Sequence, residues 1–295
     1  MKKPVAIRDF LSFSFVSNPA WSPDGSLCAF VVQQAQEAEN RYTGDLYLYE
    51  ASSGAVRRLT ALGDARSYCW TQQGALLFPT ARDKVDKEAM EAGEQRTVYY
   101  EIDPCGGEAV KAFTLPVTAT GLKQLEDGRF LVSARHDLNY PDLKGLSGEE
   151  RAKALKEYKS PAAEVFEELP FWSNGMGYTG GERSRLYLYD RKKDKLTPIT
   201  KPDWDASLSH AAHGKVVFKG GPWKDVAPFY SGLYVYDLAT RKTTCVLRPG
   251  KLKTGPAVLL DESTLLLAAT YGENYGTEEY CQFYTADIAT GRLAK

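Results

Sequence analysis

The chain has 295 residues, 43% of them hydrophobic, which is enough to bury a sizeable core, and 37 Lys plus Arg against 38 Asp plus Glu leave a net charge of -1. With no long block of like charge, neither nucleic acid nor an anionic membrane surface is an expected partner. No apolar run approaches the roughly 18 residues of a membrane helix, and the basic start at Lys2-Lys3 meets only Val5-Ala6-Ile7 before charge returns, so a soluble, cytoplasmic protein without a secretory leader is expected.

In chain order, the first recognisable unit opens on Ala20-Trp21-Ser22-Pro23-Asp24-Gly25. It runs into Leu27-Cys28-Ala29-Phe30-Val31-Val32 and continues to Asp45-Leu46-Tyr47-Leu48-Tyr49, Ser53-Gly54 and Arg58-Leu59-Thr60. Proline presets φ, Asp bonds nearby backbone and Gly accepts positive φ, so Pro-Asp-Gly predicts a tight turn that starts a strand. The alternation of Leu with Tyr predicts a pleated strand with two buried faces. A second copy carries Tyr68-Cys69-Trp70, Gly74-Ala75-Leu76-Leu77-Phe78, Val98-Tyr99-Tyr100-Glu101-Ile102-Asp103 and the turn Cys105-Gly106-Gly107.

A third copy starts at Leu122-Lys123-Gln124-Leu125, turns at Glu126-Asp127-Gly128 and enters Phe130-Leu131-Val132; its partner strand, Arg185-Leu186-Tyr187-Leu188-Tyr189-Asp190, follows a long insertion. Ser147-Gly148-Glu149-Glu150 predicts the start of an amphipathic helix through Leu155 and Tyr158. A second helical turn is expected over residues 162–168, ending at Pro170. The fourth copy holds Gly214-Lys215-Val216-Val217-Phe218, Gly232-Leu233-Tyr234-Val235-Tyr236-Asp237 and Thr243-Thr244-Cys245-Val246-Leu247. The fifth holds Val258-Leu259-Leu260, Thr264-Leu265-Leu266-Leu267 and Gln282-Phe283-Tyr284-Thr285-Ala286-Asp287.

A period of about 40 to 50 residues marks propellers and related arrays. The expected fold is all-β, a propeller region of about five four-stranded blades over residues 17–62, 65–116, 119–200 with insertion 137–182, 203–247 and 254–295. The last unit leaves little room for its final strand, so the five are expected to be part of a larger ring. Open edges and apolar end faces then predict self-association or an atypical closure of the ring.

Chemistry-bearing residues are few. Cys28, Cys69, Cys105, Cys245 and Cys281 are widely spaced, odd in number and without a Cys-x-x-Cys pair, which argues against a disulfide framework or a zinc site. His210 and His213 would share one face if helical, but no third ligand accompanies them, and His136 has no acid partner in the sequence; no metal and no cofactor is expected. No Gly-x-Ser-x-Gly elbow occurs, and Gly145-Leu146-Ser147-Gly148 fails its spacing, so no catalytic residue is assigned. Binding residues concentrate in loops of repeat scaffolds, which singles out the insertion. There Glu167 and Glu168 suit a peptide's terminal ammonium or a basic side chain, through charge-assisted hydrogen bonds.

Asp9-Phe10-Leu11, Val16-Ser17-Asn18-Pro19 and Trp21-Ser22-Pro23-Asp24-Gly25 together resemble the prolyl-oligopeptidase clan of serine peptidases, in its acylaminoacyl-peptidase and dipeptidyl-peptidase-5-like branch. Leu186-Tyr187-Leu188-Tyr189-Asp190 through Ile199-Thr200 resembles that branch's blade ends. Residues Phe171 to Tyr178 are similar to its aromatic or basic, then Asp-Gly-x-Gly-aromatic, element; Asn174 stands where Asp is usual and Trp172 near where Arg is common. The resemblance covers nearly the whole chain. It implies a propeller that caps an α/β-hydrolase domain of the same parent protein, admits short or unstructured peptides and contributes substrate contacts, for which Glu167, Glu168, Trp172 and Asn174 are the candidates. Two other readings stay open: a stand-alone propeller scaffolding protein partners, as in TolB-like or WD-repeat proteins, and a five-bladed glycan-active enzyme using paired carboxylates.

Overall fold

The computed structural model describes residues 4–163, 165–169, 171–173, 177–250, 252–273 and 279–295, with backbone only for 171–173 and 177–179. The fold is all-β in class, with five four-stranded antiparallel sheets of propeller-blade type, each built from strands that follow one another along the chain except in the third, where a two-stranded hairpin intervenes. The chain divides into two compact units, residues 1–91, 95–116 and 122–124 in the first, and 92–94, 117–121 and 125–295 in the second.

In the first unit, sheet 1 comprises β1 (Ser14–Trp21), β2 (Leu27–Gln36), β3 (Arg41–Glu50) and β4 (Val56–Arg58). Sheet 2 comprises β5 (Cys69–Trp70), β6 (Leu76–Pro79), β7 (Thr97–Ile102) and β8 (Val110–Leu115), with helix α1 (Lys84–Ala92) between β6 and β7. The period-two alternation does its expected work. Ala29, Val31, Leu46 and Leu48 leave sheet 1 on one side and pack with Leu76, Phe78, Val98 and Tyr100 of sheet 2. The β1–β2 turn shows why Pro-Asp-Gly is needed: Gly25 has φ +72°, Ser22 Oγ donates to Asp24 Oδ1 at 2.6 Å, and the Ser26 N–H donates to the same oxygen at 3.1 Å. These donors, Ser22 first, pull the Asp24 carboxyl down to about 2.

Helix α1 has no counterpart in the sequence reading. Its anchor is Asp86, buried and paired with Arg96 at 2.7 Å and with Lys111, partners that lie in later strands and loops.

In the second unit, β9 (Thr118–Gln124, whose last three residues belong to the first unit) and β10 (Phe130–Asp137) start sheet 3. The insertion then contributes α2 (Gly148–Lys159) and a hairpin of β11 (Phe171–Ser173) and β12 (Gly177–Thr179). Strands β13 (Glu182–Asp190) and β14 (Lys195–Pro198) complete the sheet. Sheet 4 is β15 (Trp204–Ala212), β16 (Lys215–Pro222), β17 (Gly232–Asp237) and β18 (Thr243–Leu247); sheet 5 is β19 (Lys253–Leu259), β20 (Thr264–Thr270), β21 (Gln282–Asp287) and β22 (Leu293–Ala294). Leu131, Leu186 and Leu188 of sheet 3 pack on Val216, Phe218, Tyr234 and Tyr236 of sheet 4, whose opposite face, Val217, Leu233 and Val235, packs on Leu265, Leu267, Ala269 and Ala286 of sheet 5.

The repeat extends to single hydrogen bonds. The Leu46 N–H donates to Thr60 Oγ1 at 2.9 Å, and the Leu186 N–H donates to Thr200 Oγ1 at 3.1 Å, so both Leu-Tyr-Leu-Tyr strands are clasped by the threonine that follows the fourth strand.

Two local expectations are corrected. Helix α2 forms with a capping box between Ser147 and Glu150, but the described residues of 162–168 form bends and irregular backbone, not a helical turn. A helix that short is marginal alone, and here Glu168 is bonded to Arg183 while the Leu169 N–H donates to Asp225 O at 2.7 Å. His210 and His213 are not on a helix: His210 lies in β15, where Nδ1 accepts the Leu259 N–H at 3.2 Å, and His213 sits in the following turn with φ +51°.

Candidate substrate-contact site

The insertion leaves sheet 3 at Asp137 and returns at Glu182, and its two ends are tied together. Asp137 Oδ1 accepts the Asn139 N–H at 2.8 Å, Oδ2 accepts the Tyr158 hydroxyl at 2.7 Å, and the Leu138 N–H donates to Gly181 O at 2.9 Å. Burial, then the bond to Asp137, pushes the Tyr158 phenol well above its ordinary range. Tyr140 meets Tyr158 edge to face at 5.1 Å. Between this base and the returning segment lies a cavity of about 370 Å³ lined by Asp137, Asn139, Tyr158, Ala163, Val165 and Phe166 among others. Its wall joins one carboxylate and one phenol to apolar side chains that reach solvent.

Glu168, a candidate ligand for a substrate ammonium, is already engaged. Its Oε2 accepts from Arg183 Nη1 at 3.1 Å and from the Gly181 N–H at 3.0 Å, and its Oε1 pairs with Arg183 Nη2. The Arg183 guanidinium lies 3.6 Å from the Trp223 ring centroid, is 3% exposed, and also donates to Glu182 O at 3.0 Å. Arg183 first, then the Gly181 N–H, holds the Glu168 carboxyl below the usual glutamate range against the opposing effect of burial. The neighbouring Glu167 is exposed and has no ion pair among the described residues. Trp172 lies in β11, its backbone opposite Tyr178, and Asn174 lies outside the described residues.

Next to this pair stand His136 and Arg185. Burial, then the nearby Arg185, lowers the His136 pKa. Arg185 is 8% exposed, donates from Nη2 to Thr200 O at 2.8 Å, and lies 5.2 Å from the Tyr187 ring centroid. Sequence reasoning passed over both arginines because they read as the polar start of a strand.

The first unit has a second concavity that the sequence reading did not single out, about 500 Å³, lined by Trp21, Tyr68, Cys69, Trp70, Lys123 and Gln124 among others. The Trp70 Nε1–H donates to Ala20 O at 3.0 Å, and the Tyr68 hydroxyl lies 2.6 Å from Asn18 O. Its signal was present in the repeat, as an aromatic residue just before the first turn in both copies.

No protein-family model matches the chain. The uncharacterized peptidase YuxL of Bacillus subtilis is 26% identical over 228 residues, 76% of this chain and 31% of that protein. The acylaminoacyl peptidase of Pyrococcus horikoshii superposes with a TM-score of 0.64 at 14% identity, covering 97% of this chain and 40% of that one. A prolyl endopeptidase structure superposes with a TM-score of 0.55 at 12% identity over 95% of this chain and 34% of its own. The chain thus spans less than half the length of each of these relatives, and by fold it is a β-propeller region similar to those of prolyl-oligopeptidase-type serine peptidases.

Proposed function

We propose that this chain is the propeller that gates and helps select peptide substrates for a serine peptidase whose nucleophile lies on an α/β-hydrolase domain of the same parent protein, outside these residues. The supporting observation is the superposition of 97% of the chain on 40% of an acylaminoacyl peptidase, together with peptidase similarity in sequence. The insertion is the substrate-facing element. Exposed Glu167 offers a carboxylate to a peptide ammonium, and Trp172 and Asn174 are the further substrate-contact candidates. Glu168 acts through Arg183 and positions that segment.

The full polypeptide of its gene, set beside this chain alone, is the test. A fluorophosphonate serine probe is expected to label only the full polypeptide, which cleaves short peptides and spares folded proteins. In it, Glu167→Gln raises KM for peptides with a free N-terminus and leaves kcat and N-acylated peptides nearly unchanged. Labelling of the chain alone, or equal cleavage of folded and short substrates, overturns the reading.

A further inference from the structure

Sheets 1 and 3 share the Leu-Tyr-Leu-Tyr strand and its threonine clasp, and aligning the two strands on these features makes Asp45 and Arg185 equivalent positions. In sheet 1 the position is neutralised within the fold: Asp45 accepts from Arg58 Nη2 at 2.6 Å, Thr60 Oγ1 at 3.1 Å and the Gly63 N–H at 3.1 Å. In sheet 3 the charge is reversed, and among the described residues no carboxylate neutralises it. Arg185 has no carboxylate partner among the described residues, and its buried Nε–H has no acceptor.

The carboxylates around it are committed elsewhere, Glu168 to Arg183, Glu182 to Arg135 at 3.5 Å, and Asp137 to Tyr158. Arg183, two residues earlier and therefore on the same face of β13, also has a buried Nε–H without an acceptor. The residue opposite Arg185 across the ladder is Ala134, which takes little room. Burying a guanidinium without a counter-charge costs several kcal/mol in comparable cases, and a planar fork with open donors matches a carboxylate.

We propose that Arg185, with the Nε–H of Arg183 beside it, is a carboxylate-binding site that takes the carboxylate of a peptide substrate at the base of the insertion. That the carboxylate comes from a peptide rests on the function proposed above; the binding site itself does not. It is therefore tested on the chain alone, where its failure leaves the gating assay untouched.

The probes are N-acetylglycine, its uncharged amide N-acetylglycinamide, and N-acetylaspartic acid α-amide, whose only carboxylate is on the side chain. The chain is labelled with 15N-arginine, and the Arg185 Nε–H resonance is assigned through its loss in Arg185→Lys. That resonance is expected to shift saturably with N-acetylglycine or with the aspartyl probe, the responding probe naming the source, and to ignore N-acetylglycinamide. At matched ionic strength the same probe raises the melting temperature of the wild type and not of Arg185→Met, which itself melts higher than wild type in the absence of carboxylate. An Arg185 resonance indifferent to both carboxylates, or equal probe-induced shifts in wild type and Arg185→Met, overturns the proposal. The resonance titration decides the matter on the wild-type chain even where Arg185→Met does not fold.

Discussion

At the scale of single residues, the pairing of Glu168 with Arg183 governs how the insertion is held. Removing one member of a buried ion pair leaves an uncompensated charge and costs about 3–5 kcal/mol. Glu168→Ala is therefore expected to lower stability by about that much, since Arg183 is buried and pairs with no other carboxylate among the described residues. Glu168→Gln, which retains an acceptor, is expected to lose less. Because the folded-state pKa of Glu168 is depressed, its contribution is fully present above the ordinary glutamate pKa. It is lost as pH falls through the lower folded value. Denaturant midpoints measured from pH 7 down to pH 3 check this: the gap between wild type and Glu168→Gln is expected to close as pH falls. A gap independent of pH would assign the effect to shape alone. The sequence made this carboxylate visible as half of a Glu-Glu pair, but its partner lies 15 residues later across a hairpin, and no local pattern encodes that meeting.

At the scale of elements, one cross-strand pair recurs with different surroundings. Phe218 stacks on Tyr234 at 5.5 Å in sheet 4, and Phe30 stacks on Tyr47 at 5.8 Å in sheet 1. Leu131, Leu186 and Leu188 cover the first pair, whereas the second is half-buried. Phe218→Ala is expected to cost about 3–5 kcal/mol, the range for a filled core site. Phe30→Ala, at a face still reached by solvent, is expected to cost clearly less, and chemical denaturation of the two variants measures the difference. The strands were legible in the sequence because turn chemistry and period-two alternation are local and repeat five times. Helix α2 was legible for the same reason, through its capping box. Helix α1 and the bends of 162–168 were not, because Asp86 with Lys111 and Leu169 with Asp225 are tertiary contacts that override weak local preference.

At the scale of the whole molecule, the sheets that begin and end the repeat carry apolar faces that their own units leave open. By register, one face of sheet 1 presents Val16, Trp21, Cys28, Phe30, Tyr47, Tyr49 and Val56, with Val16 65% and Trp21 54% exposed. In sheet 5, the face opposite its core carries Leu266, Ala268 and Phe283, the last 71% exposed. Sheet 4 shows what such an aromatic face receives within this fold, an aliphatic face of another blade. Contiguous apolar patches beyond a few hundred Å² mark interaction sites, and two different faces joining head to tail give a heterologous contact. The purified chain is therefore expected to self-associate, the sheet 1 face of one copy against the sheet 5 face of another. Light scattering across a concentration series is expected to show mass above 32.7 kDa that rises with concentration. Trp21→Glu and Phe283→Glu, one on each face, are each expected to reduce it, and a mixture of the two variants is expected to stop at dimers because one competent face of each kind remains. A chain of monomer mass at every concentration would show that these faces do not bring copies together.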